Sequence, residues 1–302
     1  MVTRILVPLD GSVLAEQAIS CAAMLGRRLP AELVLFRAVS MPPDVRQVLD
    51  SADLKVEALV EQVEAEANDY LLGLADSLRE TGLSVHRVVQ HGPAAEAIVD
   101  YAGQMDIQLI VMATHGYTGL KRWRHGSVAE RVLQAASAPV LLVRATEDAI
   151  DDLGQLKLCQ RILVPLDGSD LAEQVLPAVT PIALALGSEI TVFRVPIVYT
   201  SGSLIGEWYV PLAGVFETAE QNAQSYLDRV ASRLNEQGIE AATATEIGAV
   251  ADSIIGYAEA NRVDLIAMCT HGRTGMARWT LGSVADRVLR AGGIPILLVR
   301  AK

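Results

Sequence analysis

Residues Arg4–Ser12 read RILVPLDGS, and residues Arg161–Ser169 read RILVPLDGS again, identical at all nine positions. Ile5, Leu6 and Val7 form an apolar run ending in Pro-Leu-Asp-Gly-Ser, the pattern of a buried strand that stops at a tight turn before a helix. A second shared block follows in each half. Met112–Leu133 reads MATHGYTGLKRWRHGSVAERVL and Met268–Leu289 reads MCTHGRTGMARWTLGSVADRVL, with fifteen of twenty-two positions the same. Solenoid units repeat every ~20–50 residues. A repeat offset by 156 to 157 residues is therefore a whole domain copied in tandem.

Between the shared blocks, short apolar runs alternate with longer stretches of helical period. Ile5–Leu9, Glu32–Val39, Ser84–Gln90, Leu109–Ala113 and Val140–Arg144 read as the five strands of the first copy. Ile162–Leu166, Glu189–Val195, Glu240–Glu246, Leu265–Met268 and Ile296–Arg300 read as those of the second. Leu54–Leu78 reads as a helix, with Leu59, Val63, Ala67, Tyr70, Leu71 and Leu74 on its apolar face. Strand–helix alternation requires crossover connections and a parallel sheet. The fold class is α/β, with two doubly wound five-stranded parallel-sheet domains. Domain 1 spans 1–146, an acidic linker 147–160, and domain 2 161–302. Asp44–Asp53 and Tyr199–Phe216 differ most between the copies; the latter, with Gly202, Gly206, Pro211 and Gly214, reads as a long irregular loop before a helix.

Composition narrows the partners. The 302 residues carry 25 basic and 36 acidic side chains, a net charge of −11, and only 4% aromatics. Phosphate-backbone contacts need clustered Lys and Arg, and strand binding needs stacking rings, so nucleic acid is excluded as a partner. An anionic membrane surface is disfavoured by the same charge, and no apolar run approaches the ~18 residues of a membrane span. Cys21, Cys159 and Cys269 form neither a disulfide framework nor a zinc pattern. With no secretory signal ahead of the first strand, the reading is a cytoplasmic protein.

The second block carries the chemistry. Thr114, His115 and Gly116, then Gly126 and Ser127, fit a loop running from the fourth strand into a helix; Gly272, Gly282 and Ser283 repeat it. Glycines let backbone N–H groups approach an anion, and a helix N-terminus adds unpaired donors and the positive end of its dipole. Ser127 can cap that helix or donate to a phosphate oxygen, while Asp10 can cap the first helix. His115, His271, Trp123 and Trp279 read as structural loop residues. Cys269, close to a helix N-terminus, admits an oxidant-sensing reading as a low-pKa thiol. There is no GxxxxGK[ST] loop, the chain has four lysines, and no catalytic base stands out. Efficient phosphoryl transfer has little to work with.

On these residues the chain resembles a tandem universal stress protein over nearly its whole length. Nucleotide-binding members carry Gly, two residues, Gly, nine residues, Gly, then Ser or Thr. Here Ala113, Gly116, Gly126 and Ser127 keep the spacing, as do Cys269, Gly272, Gly282 and Ser283, with the first glycine replaced in both copies. His125 is a second departure, where an apolar residue is usual and Leu281 stands in the other copy. The resemblance implies an adenine nucleotide, ATP, held by Pro8, Leu9, Asp10, Ala38, Ala113, Gly116, Gly126, Ser127 and Val128. Its second site would be Pro165, Leu166, Asp167, Val195, Cys269, Gly272, Gly282, Ser283 and Val284. Adenine would meet the backbone at Ala38 and Val195; Asp10 and Asp167 would face ribose and phosphates, and could touch Mg accompanying ATP. Whether Ala113 and Cys269 are tolerated turns on their φ: a positive value would strain them by about 1–2 kcal/mol. The implied role is regulatory, through protein partners the sequence does not name. The alternatives are a dimerising interaction scaffold that has lost nucleotide binding, and a slow ATPase. The resemblance further implies that the last strands, Val140–Arg144 and Ile296–Arg300, pair antiparallel within the chain as an intramolecular pseudo-dimer, burying Val140, Leu142, Ile296 and Leu298 or their alternates, with a further homodimer possible; the alternative is two independent domains whose edges pair between chains.

Overall fold

A computed structural model describes residues 2–40, 56–114, 127–144, 159–196, 212–270, 281–291 and 293–301. The chain forms two compact units. Unit 1 comprises Met1–Leu156 with Pro295–Arg300, and unit 2 comprises Lys157–Ile294 with Ala301–Lys302.

Unit 1 starts with β1 (Arg4–Pro8), whose Ile5, Leu6 and Val7 have no exposed surface. Residues apolar on both faces suit a sheet covered on both sides. β1 leads into α1 (Val13–Arg28), then β2 (Glu32–Val39), α2 (Val56–Glu80), β3 (Val85–His91), α3 (Ala94–Gln104), β4 (Leu109–Thr114), α4 (Ser127–Ala135) and β5 (Val140–Arg144). The strand order is β3-β2-β1-β4-β5, all parallel. Right-handed crossovers place α1 and α2 on one face and α3 and α4 on the other. The order reverses between β1 and β4, which opens a crevice at their carboxyl ends.

α1 begins where Ser12, in extended conformation, accepts a hydrogen bond from the Ala15 N–H at 3.1 Å. Its buried face, Ala18, Ile19, Cys21, Ala22 and Leu25, follows helical spacing. On α2 the packed positions are Ala67, Leu71 and Ala75, all fully buried. Leu59 and Val63, assigned to that face from spacing, are instead more than a third exposed.

Unit 2 repeats the plan with β6 (Arg161–Pro165), β7 (Glu189–Arg194), α7 (Leu212–Glu236), β8 (Glu240–Thr245), α8 (Val250–Ala260), β9 (Leu265–Cys269) and α9 (Ser283–Ala291). The order β9-β6-β7-β8 is again parallel. Where unit 1 has α1, unit 2 has a short α5 (Asp170–Glu173) followed by α6 (Leu176–Leu186), with Pro181 inside the second. α7 corrects the sequence reading: residues 212–216 are its first turn rather than loop, and Gly214 is carried by a 25-residue helix. Asp44–Asp53 lies outside the described residues.

The last strand, β10 (Ile296–Val299), is built into unit 1. It pairs antiparallel with β5, in the register Ile296↔Leu142, Leu297↔Leu141 and Leu298↔Val140. All six side chains are at most 3% exposed. Arg300 then donates from Nη1 to the Ala135 carbonyl, 3.2 Å away. Among the described residues no helix is long and apolar enough to cross a membrane.

Candidate functional site

A cleft of about 240 Å³ lies at the β1–β4 crevice of unit 1. β1 contributes Pro8, Leu9 and Asp10; β2 contributes Phe36 and Ala38; β4 contributes Met112 and Ala113. Ala94 and Ile98 of α3 and Val128 and Ala129 of α4 close the other side. Phe36 is fully buried and backed by the Tyr101 ring, with centroids 5.3 Å apart, so the floor is rigid and apolar. Phe193 and Tyr257 repeat that pair at 4.8 Å in unit 2. The volume falls just below the ~300–1,000 Å³ of most ligand sites, which suits one flat ring system. Of the sequence-assigned residues of the first copy, the structure gathers Pro8, Leu9, Asp10, Ala38, Ala113 and Val128 here. A separate cavity of about 320 Å³ lies between α6 and α7, away from the strand ends.

Ala38 presents a polar edge to this apolar cleft. The last rung between β1 and β2 is Leu9 N–H to the Phe36 carbonyl, 2.8 Å. Along a parallel strand, alternate residues direct N–H and C=O to the same neighbour. Ala38 therefore faces the β1 side beyond the point where β1 has turned away, while Val39 accepts from Gly92 on the β3 side at 3.0 Å. Unit 2 has the same parity: Leu166 N–H bonds the Phe193 carbonyl at 2.8 Å, and Arg194 accepts from Glu246 on the other side at 3.3 Å. Val195 thus corresponds to Ala38. A donor and an acceptor side by side on an apolar wall match the edge of a nucleobase.

Asp10 and Asp167 are not the helix caps. Each closes a turn by accepting the N–H of the serine two residues on, at 2.9 Å in both units. Ser12 and Ser169 cap the helices that follow. The Ser169 hydroxyl also donates to Asp167 Oδ1 at 2.6 Å. Asp10 is exposed at the cleft rim, and Asp167 is half-buried.

Ala113 and Cys269 replace glycine without strain. Both lie in strands, Ala113 opposite Val143, and neither is among the described non-glycine residues with positive φ. The Cys269 thiol donates toward the Ala172 carbonyl at 3.5 Å and is 6% exposed. Burial pushes that thiol up to about 12, so the low-pKa, oxidant-sensing reading is overturned. At the far end of the loop, Gly282 N–H bonds the Thr270 carbonyl at 2.8 Å, which fastens the start of α9 beside the end of β9. Gly282 also accepts from Asp286 at 2.8 Å, so Gly282, rather than the serine after it, caps α9. Ser283 is the first helical residue and is exposed, with Val284 half-buried behind it. Gly116, Gly126 and Gly272 lie outside the described residues, as do His115, His125, His271, Trp123 and Trp279. Ser127 and Ser283 open α4 and α9, each nine residues long.

One cluster escaped the sequence reading. Arg37, Tyr70 and Glu16 meet behind the Asp10 turn, and Arg194, Tyr226 and Glu173 meet behind the Asp167 turn. Their shared offset of 156 to 157 residues was present in the sequence, outside the two blocks of obvious identity. Among the described residues, no group of three or more His, Cys, Asp or Glu gathers in a way that could hold a metal.

The class is thus a tandem α/β fold with a switch-point cleft in the first copy and its counterparts in the second. The model of the universal stress protein family matches residues 1–144 and 159–300, and the chain belongs to that family. A universal stress protein of Mycolicibacterium smegmatis is 24% identical over 306 residues, covering 99% of this chain and 97% of its own. One from Methanocaldococcus jannaschii is 33% identical over 141 residues, 47% of this chain and 81% of its own. The crystal structure of a universal stress protein from Archaeoglobus fulgidus matches with a TM-score of 0.72 at 19% identity, covering 99% of both chains.

Proposed function

We propose that this protein binds ATP in one or both units and acts as a regulator whose state is read by protein partners. The observation that carries the reading is the Ala38 backbone edge, set in the apolar cleft between Phe36, Met112 and Ile98. Adenine fits there as a ring held by apolar walls and read by one N–H and one C=O. Asp10, the charged residue among the described lining, stands where a ribose hydroxyl would donate to it. The triphosphate would extend toward the N-terminus of α4, where the dipole and unpaired N–H groups favour an anion. In unit 2, Val195, Asp167 and the Gly282–Ser283 turn take the corresponding roles. Magnesium would arrive with the triphosphate and meet Asp10 or Asp167.

Binding rather than turnover is the expected activity. The chain has no P-loop lysine, and among the described lining residues of the cleft only the Asp10 carboxylate is ionisable, so hydrolysis should run far below the ~1–100 s⁻¹ of kinases. Mass spectrometry of freshly purified, denatured protein tests the reading, because tightly held ATP co-purifies. Calorimetry with added ATP on Gly126→Val and Gly282→Val completes it. Unchanged ATP affinity in the doubly substituted chain refutes the loop assignment, and absence of binding in the parent chain favours the interaction-scaffold reading.

A further inference from the structure

We propose that Arg37 and Arg194 are positioning residues that hold the Asp10 and Asp167 turns from the face of the sheet opposite the cleft. Side chains alternate along a strand. Phe36 and Ala38 line the cleft, so Arg37 between them leaves on the α1–α2 face. There it reaches back beneath the turn that follows β1. A Cβ built on Gly11 would lie 3.3 Å from both terminal guanidinium nitrogens, and Gly11 has φ +88°. The other face of the guanidinium lies over the Tyr70 ring, 5.0 Å from its centroid, within cation–π range. Tyr70 in turn donates its hydroxyl to Glu16 Oε1 at 2.8 Å. Glu16 stands in the first turn of α1, the helix that Ser12 caps. The contacts therefore close a ring: turn, arginine, tyrosine, glutamate, helix, and back to the turn.

Unit 2 builds the same ring on a different frame. Its first helix is broken in two, yet the guanidinium of Arg194 lies 2.9–3.0 Å from the Cβ position of Gly168. Arg194 is 4.9 Å from the Tyr226 centroid, and Tyr226 donates to Glu173 Oε1 at 2.8 Å. Arg233 adds an ion pair to Glu173. Core packing alone does not call for a guanidinium wedged between a glycine turn and a ring, twice. What both turns share is an aspartate just past the carboxyl end of the first strand of the unit, at the cleft rim in unit 1. A planar, permanently charged group fixed behind each turn sets the position of that carboxylate.

The ligand side of this inference rests on the nucleotide reading; the geometric side does not. The test compares the parent chain with Arg37→Met/Arg194→Met and with Arg37→Lys/Arg194→Lys, which keeps charge but loses the plane. Calorimetry with free adenine and with ATP separates the parts of the site, because adenine meets Ala38 and Val195 without needing the aspartates. Hydrogen exchange over residues 9–15 and 166–172 reports on the turns without any ligand. The methionine pair should bind ATP about tenfold more weakly, the value of one well-placed hydrogen bond to a charged group. Adenine affinity should hold, exchange at both turns should quicken, and the lysine pair should be intermediate. Equal losses for adenine and ATP would mean general damage to the cleft and would overturn the proposal, as would unchanged exchange. If the parent chain binds neither adenine nor ATP, the nucleotide reading fails, and the exchange result alone decides whether the arginines position the turns.

Discussion

Replacing Gly168 with alanine should destabilise the protein more than replacing Gly11, although the two glycines occupy identical sequence segments. Their φ values, +86° and +88°, are nearly equal, so backbone strain of about 1–2 kcal/mol applies to both. Alanine also restricts the unfolded chain, which returns roughly 0.4–1 kcal/mol in each case. The copies differ in what the new methyl meets. At Gly11 the guanidinium atoms are 3.3–3.5 Å away and can give by a few tenths of an ångström. At Gly168 they are 2.9–3.0 Å away, so Arg194 must leave its place over Tyr226. Losing that cation–π contact adds about 0.5–1 kcal/mol. The expectation is a loss of about 0.5–1 kcal/mol for Gly11→Ala, from the strain less the chain-entropy term, and about 1–2 kcal/mol for Gly168→Ala. Urea unfolding followed by far-UV circular dichroism gives the totals, and hydrogen exchange assigns each loss to its unit. Repeating Gly168→Ala in an Arg194→Met background should remove the excess, a coupling that a double-mutant cycle reads directly. Equal losses at the two glycines, or an excess that survives removal of the guanidinium, would refute the reasoning.

Other expectations follow from the same contacts. Burial, with the Glu16 and Glu173 carboxylates beside them, raises the Tyr70 and Tyr226 phenols well above their ordinary value. Their stabilisation is complete below the unfolded-state pKa of ~10 and is lost as pH climbs beyond it. Urea midpoints from pH 8 to 11 should therefore fall more steeply in the parent chain than in Tyr70→Phe/Tyr226→Phe; parallel curves would count against this. Burial likewise pushes the Cys21 and Cys269 thiols up to about 12, so at pH 8 a disulfide reagent should label them only after unfolding. Prompt labelling of Cys269 would bring back a redox role. Phe36→Ala removes a fully buried ring from the cleft floor and should cost about 3–5 kcal/mol by chemical denaturation. Asp264 accepts from the Gln160 and Arg161 N–H groups, as Gln108 does from Thr3 and Arg4 in unit 1. Asp264→Asn should therefore change thermal stability little, and a large drop in melting temperature would show that the charge matters.

The strands and their parallel order were legible because ILVP recurs in both halves, and LIVMA and VLLV have the equally apolar counterparts LIAMC and ILLV, as strands covered on both faces require. The cleft was legible through VPLDGS, since a strand ending in Asp-Gly-Ser at a sheet's reversal point leaves few places for a ligand. Which residue caps the helix was not. Asp and Ser are both good caps, and only the turn geometry gives the cap to Ser12 while Asp10 closes the turn ahead of it. The surroundings of Cys269 could not be read locally, because the carbonyl its thiol faces, that of Ala172, lies in a helix almost a hundred residues earlier. The loop through Phe216 was extended too far because Gly214 weighs against helix locally, while a helix of 25 residues from Leu212 carries it. The Arg37 and Arg194 clusters lay hidden because their members come from three separate elements, and no local pattern joins Glu16, Arg37 and Tyr70.

The pairing of β10 with β5 gives this chain an unusual order of assembly. Unit 1 has five parallel strands once residue 144 is made, but the strand that covers β5 is made more than 150 residues later. At about 5–20 residues per second, β5 waits on the order of 8–30 s during synthesis with an apolar edge open. Such an edge is a template for pairing with another chain. A nascent or truncated molecule ending before Pro295 would carry a complete first copy of the repeat and an uncovered VLLV strand. β10 is thus a seal on a strand made half a chain earlier, and clipping a few of its residues would be felt first at β5.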